Sequence, residues 1–151
     1  MTYIVSLMKL KGWNNMDCIF CKIRDGEIPS YKVYEDDHVI AFLDITQGTK
    51  GHTLVIPKNH VPNIYDVDED TVHHVFSVVP KLANALKSAF NPIGLNIVNN
   101  NDKPLQSVFH FHVHLIPRYE DDGMILSTVN NYGKIDPTTF QDITEKIKAQ
   151  L

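Results

Sequence analysis

Apolar and polar positions alternate over several short stretches of this chain, and turn residues or prolines close most of them. Residues 31–35 predict a first strand. Residues 39–43 predict a second, ending at Asp44, with Asp36 and Asp37 as the turn of a hairpin. Further strands are expected over 52–57, stopped by Pro57, over 94–98, and over 108–116, stopped by Pro117. Elsewhere the spacing becomes helical. Val72, Val75, Phe76, Val79, Leu82, Ala83 and Leu86 recur at i, i+3, i+4 and i+7 and predict a long helix over 68–89, with a kink or break at Pro80. Residues 18–24 carry a short helical pattern ended near Gly26. Asp136 and Pro137 suit the N-cap and first position of a last helix, striped by Phe140, Ile143 and Ile147. The expected fold is α+β: one domain over 16–151, an antiparallel sheet of about five strands with one long and one short helix packed on it.

Composition narrows the class. A chain of 151 residues forms one domain burying roughly 70% of its unfolded surface. With 43% hydrophobic and 21% charged residues it resembles an ordinary soluble globular protein. A net charge of −4 argues against binding a nucleic acid polymer, yet leaves room for a local pocket holding one nucleotide. No apolar run is long enough to predict a membrane span. Residues 1–15 contain Lys9, Lys11 and Trp13 but neither a long apolar core nor a small-residue cleavage site, so they do not read as a signal peptide. With Met16 directly before Asp17, they are expected to be a poorly ordered N-terminal extension; an ordinary N-terminal strand is the alternative.

The chemistry concentrates at residues 110–114. His110, His112 and His114 alternate with apolar residues, which on a strand places the three rings on one face about 6.6 Å apart. A strand gives no structural reason for such a ladder, and histidine is suited to nucleophilic, acid–base and metal work near neutral pH. An imidazole attacking phosphorus needs one nitrogen bare, the other held by an acceptor, and donors for the phosphoryl oxygens. The middle ring, His112, is best placed. Gln106 and Ser107 just upstream and Asn99 on the neighbouring strand are candidate donors. One metal shared by all three rings is excluded, because the outer two start about 13 Å apart and zinc–nitrogen bonds are about 2.0–2.1 Å.

Cys18 and Cys21 form a C-x-x-C pair. No clear strand precedes them, so zinc is favoured over a redox pair, and a reducing, cytoplasmic compartment is expected. His60 and His110 are candidates to complete a Cys2His2 set. His52 opens the third strand, where it either meets the triad across the sheet or sits as a surface histidine. Asp44 is either a turn residue or an acceptor for a ribose diol. His38, His73 and His74 lack a chemical neighbourhood and are read as surface residues.

Residues 110–116 fit His-φ-His-φ-His-φ-φ, φ being apolar, at every position. Together with residues 17–23 (DCIFCKI), 42–45 (FLDI), 51–60 (GHTLVIPKNH), Asn99 and Gln106-Ser107, in order, they resemble the Hint-like branch of the histidine-triad (HIT) family. The resemblance implies an α+β homodimer whose sheets join across the interface. It implies a nucleotidyl hydrolase or transferase acting on the α-phosphate of purine nucleoside phosphoramidates, adenylates or dinucleoside polyphosphates. By position, it makes His112 the nucleophile and puts His114 and Ser107 at the phosphate and leaving group. Gln106 and Asn99 become further phosphate contacts, His52 a supporting histidine and Asp44 the ribose-binding acid. Ile19, Phe20, Ile23, Phe42 and Ile45 would line the nucleobase pocket, and Cys18, Cys21, His60 and His110 would hold a structural zinc. The loop 99–104 departs from the pattern by lacking glycines, and the resemblance stops near Arg118, leaving leaving-group preference open. Two rival readings stand beside the enzyme: a regulatory nucleotide-binding dimer with incidental catalysis, and a structural zinc protein.

Overall fold

The alternation sorts each strand into two faces with different partners. The computed structural model describes residues 17–125 and 127–151; the expected extension over 1–15 lies outside them. β1 (Lys32–Glu35) and β2 (Val39–Leu43) form the hairpin, whose turn is held by Asp36 Oδ1, accepting from the backbone N–H groups of His38 and Val39 at 2.8 Å. With β3 (Thr53–Pro57), β4 (Gly94–Val98) and β5 (Val113–Arg118) they make one antiparallel sheet in the order β1-β2-β3-β5-β4.

Val39, Ala41, Val55, Val113 and Leu115 pack with Phe111 against Val75, Val78, Val79, Leu82 and Leu86 of helix α2 (Glu69–Phe90). Ile40, Phe42, Leu54 and Ile56 meet Phe20 and Ile23 of the short helix α1 (Ile19–Arg24) in a second apolar cluster. Burial on both faces explains why β2 and β3 read as near-continuous apolar runs. His114 is paired with Leu54, at a register position on the α1 side.

Three expectations are corrected. Helix α2 continues through Pro80, so the expected break does not occur there. That residue is exposed, so water can satisfy the carbonyl left without a donor, which removes part of the usual cost of an interior proline. Strand β5 begins at Val113 rather than 108, because the preceding residues spend their bonds elsewhere: Phe111 N–H donates to Val61 O at 2.6 Å, and Val108 O accepts from Gln106 Nε2. Only His114 of the three histidines therefore lies on the strand. Pro117 falls inside β5 rather than ending it. There the pairing with β3 has stopped at Thr53–Leu115 and only β4 remains alongside, so a missing N–H is tolerated as at an edge.

Gly51 has φ +88°, and a Cβ there would lie 3.0 Å from the Phe90 ring. The glycine lets the loop preceding His52 lie against α2. Helix α3 (Pro137–Lys148) starts as expected, Asp136 accepting from Thr139 N–H at 3.0 Å, but none of its residues is buried. Among the described residues no helix is long and apolar enough to cross a membrane.

Candidate active site and metal centre

Two backbone carbonyls fix where the protons sit on the triad. A carbonyl only accepts, so the 2.8 Å contact from His110 Nε2 to Pro57 O places the proton on Nε2 and leaves the Nδ1 lone pair exposed to its neighbours. Likewise His112 Nδ1 donates to His110 O at 2.6 Å, so His112 Nε2 carries the lone pair. The carbonyl of His112 itself accepts from Asn99 Nδ2 at 2.8 Å. Phe20 meets the His112 ring edge-on, with centroids 5.2 Å apart and planes at 88°. The His114 ring lies 4.9 Å from that of His112. Its Nδ1 shares a 2.9 Å hydrogen bond with His52 Nε2.

Burial holds these rings neutral. It lowers the pKa of His112, with the His110 carbonyl and Asp44 opposing. It brings His114 down to about 4, assisted by His112 and His52. His52 is lowered by burial as well, and its Nδ1 is buried without a partner. Asp44 completes the group, its Oδ2 3.7 Å from His52 Nε2. Burial works to raise the Asp44 pKa, but two hydrogen bonds from Thr46 and the nearby histidines carry it below the usual carboxylate range.

On the other side of His110 lies a four-residue cluster. Cys18 Sγ and Cys21 Sγ are 3.5 and 3.6 Å from His110 Nδ1, and Cys21 Sγ is 3.3 Å from His60 Nδ1. Tetrahedral zinc with bonds of about 2.3 Å to sulfur and 2.0–2.1 Å to nitrogen holds such atoms about 3.5 Å apart. The residues therefore fit the metal in donor type, number, spacing and, at His110, tautomer. Burial, with Cys18 beside it, pushes the Cys21 thiol up to about 11, so metal uptake must release a proton there.

The expected site residues fall into five places. His112, His114, His52 and Asp44 come together at one end of β3 and β5, and Cys18, Cys21, His60 and His110 at the adjoining cluster. Among the apolar residues, Phe20, Ile23 and Phe42 are buried in the sheet-facing core, whereas Ile19 is 46% and Ile45 90% exposed. The two exposed residues are the ones left able to face a planar ligand. Gln106 and Asn99 brace the backbone. Gln106 donates to Pro62 O and Val108 O and accepts from Asp102 N–H, and Asn99 holds the His112 carbonyl. Ser107 is exposed in the loop leading to the triad.

Sequence reasoning missed Thr46, whose N–H and Oγ1 both bond Asp44 Oδ1 at 2.8 and 2.7 Å. An Asx turn two residues on was the available signal. It also missed Arg24, which ties α1 to β3 through Lys58 O at 2.6 Å. His38 and His74 are not isolated surface rings: they stack at 3.6 Å between the hairpin turn and α2.

The sequence model of the HIT domain matches residues 25–121. The chain is 51% identical over 137 residues to Protein hit of Bacillus subtilis, covering 89% of this chain and 94% of that one. It is 38% identical over 143 residues to an adenosine 5'-monophosphoramidase of Candida albicans, covering 91% and 93%. Among solved structures, a HIT family protein from Bacillus anthracis superposes with a TM-score of 0.85 at 52% identity, covering 89% of this chain and 97% of that one. A zinc-bound histidine triad family protein from Mycobacterium smegmatis does so with a TM-score of 0.70 at 36% identity, covering 77% and 85%.

Proposed function

Since the chain belongs to the HIT domain family, we propose that it is a nucleotidyl hydrolase or transferase acting on the α-phosphate of purine nucleoside phosphoramidates, adenylates or dinucleoside polyphosphates through a covalent His112 intermediate. The observation that carries this reading is the His112 tautomer. With Nδ1–H committed to the His110 carbonyl, Nε2 is a bare, neutral nucleophile. The similarity to a protein named as an adenosine 5'-monophosphoramidase supports the substrate class.

The steps follow from proton positions. His112 Nε2 attacks the α-phosphorus, and the bond from phosphorus to the leaving nitrogen or oxygen breaks. When His52 Nε2–H donates to His114 Nδ1, His114 Nε2–H can donate a hydrogen bond to the leaving atom, which departs with a proton taken from solvent while His114 stays neutral. His112 is now a phosphorylated imidazolium, and the His110 carbonyl on its Nδ1–H stabilises that positive charge. Water or an acceptor hydroxyl then attacks phosphorus and loses its proton to solvent, the P–Nε2 bond breaks, and its electron pair returns to Nε2. Asp44 Oδ2 accepts from the ribose diol, Ile19 and Ile45 flank the base over a floor of Phe20, Ile23 and Phe42, and Ser107 contacts the phosphate region. Asn99 and Gln106 act on the phosphate through the backbone they hold.

Zinc bound by Cys18, Cys21, His60 and His110 supplies a structural crosslink between α1 and the strand ends. The protein works as a homodimer in the cytoplasm. The exposed edge strand β4, with Ile97 half exposed, supports the first, and thiols kept as metal ligands fit the second. The test is a quenched reaction with an adenosine phosphoramidate: one adenylyl group should appear on the peptide spanning 108–117. His112→Ala should lose both adduct and turnover, by roughly a thousandfold or more, while AMP still binds. Native-rate turnover by His112→Ala would falsify the mechanism, and tight AMP binding without turnover of any such substrate would favour a regulatory nucleotide-binding dimer.

A further inference from the structure

We propose that Asp44, His52 and His114 form a second divalent-cation site, separate from the cysteine cluster, whose occupation excludes the nucleotide. The proposal rests on the functional reading above for what it excludes, and on geometry alone for the cation. One ligand atom from each residue lies within 4.8 Å of the other two. His52 Nε2 stands 2.9 Å from His114 Nδ1 and 3.7 Å from Asp44 Oδ2. Tetrahedral bonds of about 2.0–2.1 Å would set such atoms about 3.3 Å apart. The two distances bracket that value within about 0.4 Å, and the third pair, Asp44 and His114, lies within 4.8 Å.

The surroundings also suit a cation. Thr46 pins Asp44 Oδ1 through its N–H and hydroxyl, which orients the carboxylate as an outer partner of a metal ligand does. The His52 side chain is only 8% exposed and that of Asp44 15%. Two imidazoles and a carboxylate suit zinc, cobalt or nickel, and three protein ligands leave a coordination position open. The cysteine cluster is different in kind: its four protein ligands, two of them sulfur, close the site. The stacked pair His38 and His74 does not compete for such a cation, since rings inclined at 11° and 3.6 Å apart aim their lone pairs side by side rather than at one point.

A cation here takes Asp44 Oδ2 from the ribose, shifts the His52 proton from Nε2 to Nδ1, and so ends the His52–His114 hydrogen bond that aims His114 Nε2–H at the leaving group. Cation and nucleotide therefore compete.

The experiment uses the full chain with its cysteine cluster filled with zinc, titrated with Co2+ and followed by calorimetry and visible absorption. One further equivalent should bind, without the sulfur-to-cobalt charge-transfer band that cysteine ligation would give. Asp44→Asn and His114→Asn should each weaken that equivalent about tenfold or more. Saturating AMP should do the same to the wild-type protein, which needs no variant to fold. A stoichiometry that stays at the cysteine cluster alone overturns the proposal, as does a further equivalent that binds equally well in both folded variants or is indifferent to bound AMP. AMP binding with no second cobalt overturns the cation site and leaves the nucleotide reading standing. A second cobalt lost in the variants, in a protein that binds no AMP, does the reverse.

Discussion

At the scale of single residues, the site is an arrangement of protons. Pro57 O and His110 O each take an N–H, and so decide which nitrogen of His110 and of His112 stays bare. The same burial that keeps the rings neutral makes the fold sensitive to acid. In the folded protein His114 titrates near 4, through burial first and then His112 and His52, whereas an unfolded histidine titrates near 6.5. Above about pH 6.5 neither state is charged and the stability is full. Between there and about pH 4 the unfolded chain binds a proton that the folded chain refuses, so stability falls as pH falls. Thermal melts across this range should show Tm dropping with acid, and His114→Asn should shallow that slope. Identical slopes would show that His114 is not held neutral by the fold.

Among the elements, the short helix α1 does most with least. Its six residues would be marginal in isolation. They are secured by Phe20 and Ile23 packing on β2 and β3, by Arg24 reaching Lys58 O, and by Cys18 and Cys21 beside His60 and His110. If the cluster holds zinc as proposed, its removal should act on this helix first. With free metal about a thousandfold above its dissociation constant the crosslink is worth roughly 4 kcal/mol, or about 10 °C in Tm for a chain of this length. Chelation should lower Tm by that order, and Cys21→Ser should leave no chelator-sensitive component. An unchanged melting curve would mean that the cluster holds no metal.

The elements also show what the sequence made legible. Short apolar or alternating runs closed by turn residues located all five strands, β2 and β3 as near-continuous apolar stretches because both their faces are buried. The same signal overextended β5, since alternation at 108–112 is compatible with a strand but cannot report that Val61 O has taken the Phe111 N–H. The triad, the cysteine pair and the gathering of Cys18, Cys21, His60 and His110 were visible in spacing and resemblance. The bracing roles of Gln106 and Asn99 were not, because they depend on carbonyls 13 to 44 residues away in the chain.

At the scale of the whole molecule, the sheet ends in an exposed strand. β4 has β5 on one side only, and Ile93 and Ile97 are 71% and 50% exposed beside it, an edge that invites pairing with a second chain. Light scattering should give twice the 17.2 kDa chain mass, and Ile97→Lys should shift the population toward a single chain with little change in far-UV circular dichroism. A wild-type mass of one chain would remove the dimer from the proposal. Beyond Pro117 none of the described residues is buried, α3 included. Selection for foldedness therefore bears on the first three-quarters of the chain and only lightly on the last quarter. Apart from Asp122, whose carboxylate holds Arg118 and the N–H groups of Tyr119 and Met124, that quarter can exchange side chains at little risk to the native state, which leaves its surface free to change while the sheet and the histidines stay as they are.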